Sequence, residues 1–183
     1  TNGATKRHGV FEELAEEGLV HDLILSIEAG SPELFQRIRG YDQERFKAFA
    51  RFIGKLRART GRPTRFRFNV TCMRENLHEL PQIVELAAEL GMDEILFVHL
   101  YGYADAYQVD EAQTDPRKLC RQEQKLDFAE RAEVIDIFRR VLDLSHELGV
   151  PVVLPEAYPE LVPAEEIPET EAFRCLSPFR WVH

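Results

Sequence analysis

A helix that ends on glycine and runs directly into an apolar stretch occurs twice in almost the same letters. The two copies are Glu89-Leu90-Gly91-Met92 and Glu147-Leu148-Gly149-Val150, and Glu17-Gly18-Leu19-Val20 is a looser third. Glycine stops a helix because it takes up the left-handed conformation at no steric cost. A helix stop followed at once by a strand, repeated along a chain, is the signature of an α/β fold with a parallel sheet and outer helices. Right-handed crossovers then leave few topologies open.

The elements between the stops follow the same alternation. Phe11, Leu14 and Ala15 predict a helix over about residues 7–17. Leu23 to Ile27 is a short apolar run, as expected of a parallel strand buried on both faces, and the strand is placed near residues 22–28. Ser31-Pro32-Glu33 is a helix start with Ser as N-cap and Pro in the first turn, and that helix ends near Gly40. A longer helix is predicted over about residues 42–59, then a strand near 65–71. Asn76-Leu77-His78-Glu79 reads as a capping arrangement ahead of a helix that Gly91 closes. A strand near 94–100 follows, then a polar stretch without period, a helix over about 126–148 and a strand near 150–154. Four parallel strands without a glycine-rich dinucleotide fingerprint favour a partial (β/α) barrel of TIM-like type over a doubly wound sheet. Residues 1–160 are assigned to that barrel, and residues 161–183 to a linker and the start of a second domain. Thr1-Asn2-Gly3 reads as a strand exit with nothing before it and Phe179 to His183 as a strand beginning, so the chain is expected to be a piece of a longer one, truncated at the N-terminus.

Composition excludes several function classes. The 183 residues fit one domain, with 44% hydrophobic and 30% charged. A net charge of −9 argues against nucleic acid as the main partner, because phosphate binding needs a basic face. One basic stretch runs from Lys47 to Arg67 and reads as the wet side of a helix and its following loop. No apolar run is long enough to cross a membrane and no secretory signal opens the chain, which points to the cytoplasm. Cys72, Cys120 and Cys175 are too few and too far apart for a disulfide framework or a local metal knuckle. Cys72 reads as a buried small hydrophobe and Cys120 as incidental.

In a barrel, chemistry gathers at the C-terminal ends of the strands. Those positions hold Thr1-Asn2, Ser26-Ile27-Glu28, Asn69-Val70-Thr71-Cys72 and His99-Leu100-Tyr101, richer in polar groups than buried strands need. An acid beside an apolar run, such as Glu28, wants a partner. Asn69 either binds a ligand or satisfies loop backbone, and His99 is either a hydrogen-bonded core histidine or a base or ligand. Arg67 and Asn69 lie two apart and share a strand face.

Together these segments resemble the radical S-adenosylmethionine family, of the type with a SPASM or twitch extension. Thr1-Asn2-Gly3 is similar to the end of the third barrel strand. Ser26-Ile27-Glu28-Ala29, with Ser31-Pro32-Glu33-Leu34-Phe35 and Arg37-Ile38-Arg39-Gly40, resembles the fourth strand and its turn, with Glu28-Ala29 standing where that strand usually reads Asp-Gly. Phe68-Asn69-Val70-Thr71, with Arg74 and Asn76, resembles the fifth strand and helix start, and Gly91-Met92-Asp93-Glu94-Ile95 the entry to the sixth. Cys175-Leu176-Ser177-Pro178-Phe179 is similar to the opening of the SPASM region. The family's Cys-x3-Cys-x2-Cys loop follows its first strand, and this chain starts two strands later.

The resemblance implies a 4Fe-4S cluster that chelates S-adenosylmethionine and, after one-electron reduction, releases a 5′-deoxyadenosyl radical that takes hydrogen from substrate. It implies that Thr1, Asn2, Ser26, Glu28, Arg67, Asn69 and His99 line the cofactor cavity, with Ser26 and Glu28 by the ribose and methionine moieties, Arg67 free to pair with a carboxylate, and main chain near Phe97 to His99 beside adenine. Cys175 would ligate an auxiliary 4Fe-4S cluster. Implied partners are a small-molecule or peptide substrate and an electron donor such as flavodoxin or ferredoxin. The 183-residue chain by itself is expected to be inactive, because it lacks the thiolates of the reducing cluster. Two rival readings stay open: another barrel enzyme, of aldolase or isomerase type, with Glu28 or His99 as base, and a non-enzymatic module that binds a peptide or partner at a sheet edge.

Overall fold

A computed structural model describes residues 8–61, 64–100, 124–155 and 158–161. Thr1, Asn2, Cys120, Cys175 and residues 162–183 lie outside the described residues.

The helix-stop pattern sets the element order. Helix α1 (His8–Glu16) leads to strand β1 (Asp22–Ser26), and helices α2 (Pro32–Arg39) and α3 (Gln43–Thr60) to β2 (Arg65–Cys72). Helix α4 (Leu80–Leu90) leads to β3 (Glu94–His99), and α5 (Arg131–Leu148) to β4 (Val152–Val153). The four strands form one sheet in the order β1-β2-β3-β4, every neighbouring pair parallel. Gly91 and Gly149, the stops of the repeated motif, have φ of 69° and 67°. Each sits where a side chain would strain the turn from helix to strand.

Right-handed connections between sequential neighbours place every crossover helix on one side of the sheet. The alternation of burial along β2 fits this. Phe66, Phe68, Val70 and Cys72 are buried, and Arg67, Asn69 and Thr71 between them are half-buried. Leu25, Ile95 and Phe97 join the buried set in register, and the core fills with Phe46, Phe49, Ile53, Ile83, Val84 and Phe138 from the helices. Cys72 lies in that layer with no exposed surface, and burial pushes its thiol pKa up, so it packs as a small hydrophobe. The opposite, open face carries Ile24, Ser26, Arg67, Asn69, Thr71, Leu96 and Val153, with Ile24 38% and Val153 44% exposed.

Most of the basic stretch lies along α3, where three arginines form ion pairs between elements: Arg51 with Glu89, Arg59 with Glu16, and Arg57 with Asp93. Two sequence expectations are corrected. The helix expected over 126–148 is broken, because Ala129 is extended after a single 3-10 turn (Leu126–Phe128), and α5 begins at Arg131. Asn76 does not cap α4. The turn Leu77–Glu79 comes between them, and the amide of Asn76 is committed elsewhere.

Candidate functional site

The C-terminal ends of β1 and β2 lie side by side, with Ser26 opposite Asn69 in the register and Ile27 N–H donating to Asn69 O at 3.0 Å. Strand periodicity therefore puts the Ser26 hydroxyl and the Asn69 amide on the open face, next to one another. Both are half-buried, and among the described residues neither side chain has a hydrogen-bond partner. Thr71 continues this polar row one step nearer the rim.

Glu28 sits just past β1 and is 7% exposed. Its carboxylate forms an ion pair with Arg39, from the last turn of α2, whose side chain is 19% exposed. Burial raises the Glu28 pKa, and the Arg39 charge only partly offsets it. Its partner is thus found within the chain.

Arg67 shares the open face with Asn69, as its spacing predicted, but lies toward the N-terminal end. It reaches Asp22 Oδ1 on β1 at 3.2 Å and Glu94 Oε2 on β3 at 3.3 Å. Its guanidinium already faces two protein carboxylates, and this ion-paired layer belongs to the end of a parallel sheet associated with stability.

His99 is on the other face. It aligns with Cys72 in the register, and its ring lies 5.7 Å from that of Tyr158. Burial lowers its pKa, opposed by the charge of Asp127. The structure therefore brings Ser26 and Asn69 together, holds Glu28 nearby against Arg39, and separates Arg67 and His99 from them. Among the described residues no three His, Cys, Asp or Glu side chains are grouped to hold a metal ion, and no helix is long and apolar enough to cross a membrane.

Sequence reasoning missed the residues that fix this rim. Asn76, with no exposed surface, donates to Glu28 O at 2.8 Å and Thr71 O at 2.9 Å and accepts from Met73 N–H at 2.8 Å. Glu79 accepts from Gly30 N–H at 3.0 Å, Ser31 N–H at 2.9 Å and the Ser31 hydroxyl at 2.6 Å. Gln43 donates to Gly30 O at 2.8 Å. A polar groove of about 710 Å³ runs along the segment after β2, bordered by Arg74, His78, Gln124 and Glu133. His78 there pairs with Glu133 at 3.2 Å.

No family model matches the sequence, and no curated protein matches it. Solved structures do match in shape. The structure of Streptococcus suis SuiB bound to its precursor peptide SuiA aligns with a TM-score of 0.57 at 17% identity, over 90% of this chain and 34% of that one. SuiB without the peptide gives 0.58 at 15% identity, over 88% of this chain and 34% of that one. The fold is that of SuiB. The chain spans about a third of the length of these SuiB structures. A third, SuiB bound to S-adenosylmethionine, aligns at only 0.44 and adds nothing to the comparison.

Proposed function

We propose that this chain is the C-terminal part of the partial barrel of a radical S-adenosylmethionine enzyme that modifies a peptide, and that the open sheet face is the wall of its nucleotide site. The observation that carries the reading is the pair Ser26 and Asn69, adjacent in register at the strand ends and without partners among the described residues, in a fold shared with SuiB. A hydroxyl and a carboxamide, each able to donate and accept, suit ribose hydroxyls or the carboxylate and ammonium of a methionine moiety. The residues thus fit the group. Thr1 and Asn2 would complete the cavity from the preceding strand. Glu28, already paired with Arg39, acts by fixing the turn beside it.

When bound, a 4Fe-4S cluster would supply the electron that cleaves S-adenosylmethionine. Its ligands would come from outside the described residues, since Cys72 is sealed in the core. Cys175 remains the proposed ligand of an auxiliary 4Fe-4S cluster, and flavodoxin or ferredoxin the proposed class of donor. A peptide substrate is favoured over a small molecule because a SuiB structure of this fold holds a precursor peptide. An aldolase or isomerase reading loses ground, because Glu28 is ion-paired and His99 lies on the helix side of the sheet.

The test uses the full-length protein, reconstituted anaerobically with iron and sulfide, reduced with dithionite and given S-adenosylmethionine. We expect 5′-deoxyadenosine, and Ser26→Ala and Asn69→Ala to raise the KM for S-adenosylmethionine by about fivefold each, as for loss of one hydrogen bond of about 1 kcal/mol. The 183-residue chain alone should release none above a no-protein blank. A reconstituted full-length protein that neither binds nor cleaves S-adenosylmethionine would overturn the reading.

A further inference from the structure

Four consecutive residues after β1 are gripped through their backbones by side chains from other elements. Glu28 O accepts from Asn76, Gly30 O accepts from Gln43, and Gly30 N–H and Ser31 N–H donate to Glu79. Gln43 also lies 3.4 Å from Ala29 O. Gly30 is packed so closely on α4 that a Cβ there would stand 2.5 Å from Gln82 Cβ. The turn is therefore fixed at every residue, and Asn76 is the member that reaches both strand ends. Its two N–H groups go to Glu28 O, two residues beyond Ser26, and Thr71 O, two residues beyond Asn69. Its oxygen takes Met73 N–H, so all the usual donors of this fully buried amide are used.

We infer that Asn76 is a positioning residue for the nucleotide site, clamping the ends of β1 and β2 at the spacing that presents Ser26 and Asn69 as one pair. The inference rests on the proposed function and deepens it. A buried carboxamide suits this task because it bridges two carbonyls without bringing in a charge, and its cost of burial is cancelled only when every hydrogen bond is made. An aspartate has the same shape and keeps the bond from Met73 N–H, but sets a carboxylate oxygen against two carbonyl oxygens. Asn76→Asp thus breaks the bridge and spares the packing.

The experiment compares full-length wild type, Asn76→Asp and Ile83→Val, the last a fully buried α4 position that lowers stability without touching the clamp. Three measurements are made: thermal stability, KM and kcat for S-adenosylmethionine cleavage, and amide hydrogen exchange in peptides covering 26–31 and 69–76. Asn76→Asp should raise the KM at least fivefold with a smaller change in kcat and speed exchange in both windows, and Ile83→Val should do neither. Equal KM in Asn76→Asp and Ile83→Val, with wild type active, overturns the inference and leaves the proposed function standing. Wild type that binds no S-adenosylmethionine overturns the proposed function, and the positioning role with it. Exchange that is unchanged in both windows removes the clamp itself, whatever the kinetics.

Discussion

The two ends of the sheet are held by different chemistry. At the N-terminal end the fastening is mainly ionic, between side chains. Arg67 bridges Asp22 and Glu94, and Asp93 receives Arg57 through both oxygens at 2.8 and 3.0 Å while accepting from Phe66 N–H at 2.7 Å. At the C-terminal end, beside the Glu28–Arg39 ion pair, the fastening runs mainly from side chain to backbone. Asn76, Gln43 and Glu79 hold carbonyls and amides of the turn after β1. Ion pairs between long, partly exposed side chains tolerate ångström shifts and weaken in salt. Short amide and carboxylate bridges to main chain define the backbone path itself. The difference suits a parallel sheet in which one end maintains the strands and the other, in the proposed function, presents groups to a ligand.

The sharpest way to break this contrast is to force the upper turn open. Gly30→Ala introduces a Cβ that would meet Gln82 Cβ at 2.5 Å and Gln82 backbone carbon at 3.3 Å, so α2 and α4 must part. The expected cost is about 1–3 kcal/mol, the range for overpacking a tight contact. Melting followed by circular dichroism should show a Tm lower by several degrees, about 2–4 °C per kcal/mol at this size. A melting curve that overlays the wild type would mean that the turn yields freely.

The two ends also differ in how readily the sequence discloses them. The Gly91 and Gly149 stops, the Ser31-Pro32 start and the alternation along β2 are local signals, and the structure places those elements within a residue or two of expectation. The Asn76 clamp is not local. Asn76 and Glu79 are three apart, the spacing of a capping box, yet their principal partners are 48 or 49 residues away. His99 was hidden for another reason. Strand β3 reads Glu-Ile-Leu-Phe-Val-His, so its apolar middle does not reveal which face is buried. Only the register, with Leu96 opposite Asn69, assigns His99 to the helix side. Parity puts Arg67 on the same face as Asn69, but its acids, on the two neighbouring strands, become visible only once the strands are paired.

At the lower end a smaller effect is expected. Arg67→Met removes both ion pairs and keeps much of the apolar stem, and the side chain is 23% exposed. The loss should be about 1 kcal/mol or less in low salt. The gap between wild type and variant should narrow in 1 M NaCl, where the screening length is about 3 Å. Gly30→Ala should keep its full deficit in the same salt. If the two variants respond alike to salt, the division between an ionic end and an amide end fails.

The smallest effect is a pH dependence confined to the upper end, where burial moves two groups in opposite senses. Glu28 has a folded pKa above its ordinary value of 4.5. The folded state therefore binds its proton more readily than the unfolded state, and this contribution to stability, present at pH 4.5 and below, is lost as pH rises through the folded value. His99 has a folded pKa below its ordinary value of 6.5. Its contribution is present above pH 6.5 and is lost as pH falls toward the folded value. Between these limits the two slopes oppose each other, so the wild-type curve understates both. Single substitutions should separate them. Relative to wild type, Glu28→Gln should gain stability as pH is raised from 4.5, on top of a constant loss from stranding Arg39. His99→Phe should gain on wild type as pH is lowered from 7.5 to 5.5. Thermal melts at one-unit intervals would show this as curves that diverge from wild type in opposite directions. Curves running parallel to wild type would mean that neither group is held as tightly as its packing requires.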